Sequence, residues 1–133
     1  IEQTVPLLRL SLSKRAELTL CLRPDVPPIE ADASQLHQVL LNLVLNASEA
    51  LEDRDGLITI HTAVVTTTEP MVDDVQPTIR WNPGTFVCLE VCDTGGGIDA
   101  QTLPRIFEPF FTTKFTGRGL GLASVLGILR SHK

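Results

Sequence analysis

The strongest pattern in the chain is a Leu/Val-rich run over residues 36–51, apolar nearly all round if wound as a helix. Asp32 supplies an N-cap and Gln35, three residues on, a capping-box partner, so the predicted helix extends over residues 32–52. Upstream, residues 6–16 suit a short helix and residues 18–23 alternate as a strand does. Residues 24–28 then make a turn and 29–31 a brief extended piece. Downstream, Asp55-Gly56 turns the chain into a strand over residues 57–67. Residues 68–84, with Pro70, Pro77, Pro83 and several acids, read as a long polar connection. A strand over residues 86–92 follows. After it come a glycine-rich turn, a short helical piece at 102–107, a Phe/Thr segment and a last helix over 119–130.

Two residues break the apolar run. Asn42 and Asn46 fall on one face of the predicted helix by their i,i+4 spacing, and Glu49 continues their stripe. Asn is a mediocre helix former because its amide competes for backbone hydrogen bonds, so two of them in an apolar helix call for partners. Either neighbouring backbone satisfies them, or their carbonyl oxygens serve a hard cation such as Mg²⁺.

Composition narrows the field. With 133 residues, 43% of them hydrophobic, the chain is long enough to bury a core as one domain. A net charge of −5 argues against a nucleic-acid partner, whose sites show a basic stripe. No apolar stretch approaches a membrane span, and direct membrane contact is not expected. Cys21, Cys88 and Cys92 are odd in number and lack metal-motif spacing, which fits reduced thiols in a cytoplasmic setting. Cys88 and Cys92 lie too far apart along one strand to be bridged.

Two further segments carry candidate chemistry. Period-two alternation puts Val87, Leu89, Val91 and Asp93 on one strand face, so a carboxylate ends the more apolar side. Gly95-Gly96-Gly97 follows at once and allows close approach to a flat ligand. This is either an ordinary Asp-Thr-Gly turn or a carboxylate suited to accept the exocyclic amine of adenine. The second segment, residues 112–122, combines Lys114 and Arg118 with glycines that open an amphipathic helix through Leu122, Val125, Leu126 and Leu129. Such a helix start offers free N–H groups and a positive dipole end to a phosphate. Without Gly-Lys-Ser/Thr it is not a P-loop, and without a strand feeding the glycines it is not a dinucleotide fold. A flexible loop before a glycine-softened helix is the alternative.

In this order, Asn42-Leu43-Val44-Leu45-Asn46-Ala47, Asp93-Thr94-Gly95-Gly96-Gly97-Ile98, Phe107-Glu108-Pro109-Phe110-Phe111 and Gly117-Arg118-Gly119-Leu120-Gly121-Leu122 resemble the N, first glycine, F and second glycine boxes of sensor histidine kinases. The resemblance is to their ATP-binding catalytic domain and covers the chain from about Leu7 onward. The Phe/Thr/Lys segment is most similar to the nitrogen-regulatory and PAS-linked hybrid kinases. The resemblance implies an α/β two-layer sandwich of the Bergerat type, a mixed and mostly antiparallel sheet with helices on one face. Family domains continue into a C-terminal hairpin, which a chain stopping at Lys133 is expected to lack.

Carried over by position, the resemblance makes Asn46 the principal Mg²⁺ ligand with Asn42 assisting, and Asp93 the adenine-amine acceptor. Gly95, Gly97 and Ile98 shape the base pocket, Lys114 and Arg118 either touch phosphates or are solvated, and Gly119, Leu120 and Gly121 bring the helix start to the triphosphate of ATP. Phe107, Phe110 and Phe111 look like anchors for the base of the lid rather than ligand contacts, with simple core packing as the alternative. Water-hydrolysing relatives carry a Glu general base where this chain has Asn42, which takes no proton at neutral pH. His37, His61 and His132 lack phosphoacceptor surroundings; His37 and His61 read as surface positions, and His132 lies near the end of the given sequence. The implied function is transfer of the γ-phosphoryl group to a histidine of a separate dimerisation domain, ahead of a response-regulator receiver domain. A related Ser/Thr kinase or ATPase, or a nucleotide-binding module without catalysis, are the alternatives.

Overall fold

A computed structural model describes residues 1–72, 80–114 and 117–132. The parts of the polar connection at 73–79 and of the lid segment at 115–116, with Lys133, lie outside the described residues. A 3-10 turn at Glu2–Thr4 leads into α1 (Val5–Ser11), where Pro6 sits in the first turn and its missing N–H removes no helical bond. The helix stops earlier than the pattern predicts. Leu12 is extended, and Ala16 N–H donates to Ser13 O at 3.0 Å in a tight turn that delivers the chain into β1 (Ala16–Cys21).

The expected piece at 29–31 joins no strand among the described residues, and the chain passes directly to α2 (Ala33–Ala50). β2 (Gly56–Thr67) pairs in parallel with β1, from Ala16 opposite Gly56 to Cys21 opposite His61. It pairs antiparallel with β5 (Gly84–Asp93), from Ile58 opposite Asp93 to Thr67 opposite Gly84. The sheet order is therefore β1-β2-β5, mixed and mostly antiparallel. Within the predicted irregular connection, β3 (Met71–Val72) and β4 (Arg80–Trp81) form a separate antiparallel pair, too short to leave a periodic signal.

Helices cover one face of the sheet. Leu8 of α1, Leu40, Val44 and Ala47 of α2, Leu51 just beyond it, Leu18 of β1, and Ile58 and Ile60 of β2 form the buried cluster. Leu89 and Val91 of β5 pack at its margin, so the predicted alternation of that strand holds. Each large aliphatic group buried here contributes about 1.5–3 kcal/mol. α3 (Gly121–Ser131) lies against α2 and buries Val125. None of the described helices is long and apolar enough to cross a membrane.

Candidate functional site

The site is built on α2. The Asp32 carboxylate accepts from Ser34 N–H at 2.8 Å and Gln35 N–H at 3.0 Å, capping the helix. The Ser34 hydroxyl first, then these N–H groups, hold the Asp32 carboxyl below its ordinary range. The reciprocal half of the capping box is taken by another element: Asp32 N–H donates to Nε2 of His132 at 3.2 Å. An accepting Nε2 puts the imidazole proton on Nδ1, which donates to Ile128 O at 2.9 Å. The end of α3 is thereby fastened to the start of α2.

Halfway along, α2 meets the other end of α3. Asn42 Nδ2 donates to Gly121 O at 3.2 Å, and its Oδ1 accepts from Gln38 Nε2 at 3.0 Å. Asn46, one turn on, is half-buried, and a Cβ at Gly121 would lie 3.7 Å from its Nδ2 and 3.9 Å from its Oδ1. Both amides thus face the first turn of α3, whose N-cap Leu120 has no side-chain cap bond. Helix N-termini leave backbone N–H groups without intrahelical partners.

The loop after β5 is fixed by the far end of α2. Gly96 N–H donates to Ala50 O at 3.2 Å, and a Cβ on Gly95 would come within 3.0 Å of the Ala50 carbonyl. Asp93 is exposed; its Oδ1 accepts from Gly95 N–H at 2.8 Å, so the Asp-Thr-Gly turn exists as such. Thr94 closes the strand by bonding Leu57 through both its N–H and its hydroxyl. Gly97, with nothing within 4 Å of a Cβ, and Ile98, 53% exposed, lie open to solvent.

The aromatic segment does not pack into the core. Phe110 is 76% exposed with φ +68°, and Phe107 and Phe111 are only half-buried, so none of the three is a core residue. Phe111 instead lies under the Arg105 guanidinium, 4.1 Å from the ring centre, a cation–π contact. Backbone does the anchoring: Phe110 N–H donates to Gly119 O at 2.8 Å. Gly119 has φ +64°, and a Cβ there would come within 3.0 Å of the Phe110 and Phe111 backbone. Of the two expected phosphate contacts, Lys114 pairs with Glu49 on α2, while Arg118 is exposed.

A cavity of about 840 Å³ opens instead among Arg9, Leu12, Lys14, Arg15 and Asp55, and its lining includes none of the residues predicted from sequence. Chemistry and convergence, not enclosure, mark the site. Sequence reasoning missed Gln38, the Ala50 carbonyl, Arg105 and the bond made by His132. Only Gln38 left a signal, its i,i+4 spacing to Asn42.

An amide-bearing helix, a strand end turning through glycines and a second helix opened by glycine meet in one two-layer sandwich. Residues 31–133 match the family described as histidine kinase-, DNA gyrase B-, and HSP90-like ATPase, and the chain belongs to it. Over 122 residues it is 41% identical to the sensor kinase CckA of Brucella abortus (strain 2308), covering 90% of this chain and 12% of that protein. Over 128 residues it is 40% identical to the sensory histidine kinase/phosphatase NtrB of Rhizobium meliloti (strain 1021), covering 90% of this chain and 31% of the relative. The chain thus spans less than a third of the length of either. The solved catalytic domain of histidine kinase ThkA, in a nucleotide-free form, superposes with a TM-score of 0.66 at 27% identity over 98% of this chain and 72% of that one. The NtrB likeness agrees with the nitrogen-regulatory subgroup, and the two-layer fold with the resemblance.

Proposed function

We propose that this domain binds Mg²⁺-ATP between α2, the loop at 93–98 and the start of α3, and donates the γ-phosphoryl group to a histidine on a separate dimerisation domain. The observation that carries this reading is the convergence of Asn42 and Asn46 on the uncapped first turn of α3. Two neutral amides beside free backbone N–H groups suit a triphosphate and its cation. Asn42 Oδ1 is engaged by Gln38, so Asn46 supplies the principal Mg²⁺ ligand and Asn42 chiefly positions Gly121. A bound Mg²⁺ would neutralise triphosphate charge. Asp93 keeps Oδ2 for the adenine amine while Oδ1 holds Gly95, and Gly97 and Ile98 offer an open shelf for the base. Arg118, Gly119, Leu120 and Gly121 face the phosphates, and Lys114 joins them by leaving Glu49.

Transfer to an acceptor fits better than hydrolysis, because Asn42 occupies the place where a general base would stand. Relatives named as sensor kinases support a phosphoacceptor domain and a response-regulator receiver domain as partners.

Calorimetric titration with a non-hydrolysable ATP analogue, with and without Mg²⁺, tests the site. A charge-assisted hydrogen bond is worth roughly 1.5–3 kcal/mol, so Asp93→Ala should weaken binding about ten- to a hundredfold. Asn46→Ala should abolish most of the Mg²⁺ dependence and leave adenosine binding nearly intact. Equal affinity for ATP and GTP, or unchanged Mg²⁺ dependence in Asn46→Ala, would sink the assignment.

A further inference from the structure

The face of the sheet turned away from the helices has its own chemistry. Ile58 and Ile60 point into the core, so the alternate positions Thr59, His61 and Ala63 of β2 point away from it. In register beside them lie Cys92, Glu90 and Cys88 of β5, and Cys21 of β1 is opposite His61 on the other side. All three cysteines of the chain therefore share this face. One ligand atom each from His61, Glu90 and Cys92 lies within 4.8 Å of the others. None of the open-face positions of β1, β2 and β5 is Lys or Arg, and none of the three residues is in an ion pair among the described residues.

We propose that His61, Glu90 and Cys92 form a binding site for a borderline divalent cation of the Zn²⁺ class, on the sheet face opposite the nucleotide site. An imidazole nitrogen, a carboxylate oxygen and a thiolate sulfur make a mixed donor set that Zn²⁺ accepts and Mg²⁺, which selects oxygen, does not. Three side chains leave the fourth tetrahedral position to water. Cys92 enters as the thiolate and its proton passes to solvent, so the carboxylate and thiolate balance the charge of the ion. His61 stands directly opposite Glu90, and Cys92 stands two residues further along β5, so small side-chain rotations close the set without moving backbone. Because the ligands come from two strands, the bound ion staples β2 to β5.

Cobalt titration of the chain, free of nucleotide, tests this. Co²⁺ should bind at one equivalent with a thiolate charge-transfer band, and Zn²⁺ should displace it while Mg²⁺ does not. Cys92→Ser should remove the band and Cys88→Ser should leave it. His61→Ala and Glu90→Gln should each weaken binding by more than the roughly 10–100-fold that outer-shell partners are worth. Mass-mapped alkylation of the unaltered chain gives a second readout that needs no variant: Zn²⁺ should protect Cys92 and spare the rate at Cys88. A band that survives Cys92→Ser, displacement by Mg²⁺, or equal alkylation of Cys92 with and without Zn²⁺ overturns the proposal.

Discussion

The loop after β5 and the segment before α3 both press glycine against another backbone, yet they inherit very different support. Gly95 abuts Ala50, the last residue of α2, whose neighbours Ala47 and Leu51 are buried in the central cluster. Gly119 abuts Phe110 and Phe111, which are themselves peripheral, one of them three-quarters exposed. The first loop is therefore an extension of the core. The second is a clamp between two surface segments, joined to α2 through Asn42 at Gly121 and through the Lys114–Glu49 pair. In this domain the loop after β5 is set by packing, and the segment before α3 is set by a few polar contacts. Local opening is drawn from regions of the second kind.

The largest effect should follow Gly95→Ala, because the new methyl meets a helix carbonyl that cannot retreat. Overpacking of this kind costs about 3 kcal/mol, visible as an earlier midpoint in denaturant unfolding. An unchanged midpoint would mean that the loop is not an extension of the core. Next comes Gly119→Ala, where positive φ adds roughly 1–2 kcal/mol of strain to the close contact. Here the global midpoint should move less than in Gly95→Ala, while affinity for an ATP analogue drops by about tenfold, or 1.4 kcal/mol. If both variants lose equal global stability, the two halves unfold as one unit and the contrast fails. Glu49→Gln should alter stability by less than about 1 kcal/mol, an effect that shrinks in high salt. The same change should leave Lys114 freer for phosphate, so analogue binding should stay equal or tighten; a clear weakening in calorimetry would contradict this.

The smallest expected effect concerns acid. Asp32 has its carboxyl held below the ordinary value of 3.8, chiefly by the Ser34 hydroxyl, with the Gln35 and Ser34 N–H groups adding to it. A folded-state value below the unfolded one means the stabilisation is complete above that range and fades as pH falls through the lower folded value. Acid titration of thermal stability should therefore be shallower below pH 3.8 in Asp32→Ala than in the unaltered chain. Parallel curves would assign the cap no pH-linked role.

Local patterns made much of this legible. The long run, its Asp32 cap and the alternation before Asp93 located α2 and β5, because spacing and capping are carried by neighbouring residues. The Asn, Asp and glycine positions could be singled out for the same reason. What failed was non-local. The aromatic residues after Pro104 look like core in sequence, yet the sandwich is already filled by Leu8, Leu40, Val44, Ile58 and Ile60, and the phenylalanines remain at its edge. The capping box was legible in one half only, since no local signal could announce that His132, a hundred residues away, takes the other. Likewise Cys88 and Cys92 share a face by their own spacing, but Cys21 joins them only through the registers that set Cys21 beside His61 and His61 beside Glu90.

Among the described residues, the hydrogen bonds Asp32–His132 and Asn42–Gly121 join α2 and α3 at opposite ends of a matched ruler. From Asp32 to Asn42 and from Gly121 to His132 the helices rise about 15 Å and about 16.5 Å, at 1.5 Å per residue. Slippage of α3 along its axis by a single residue would break both bonds together, whereas rotation about the far bond breaks only the near one.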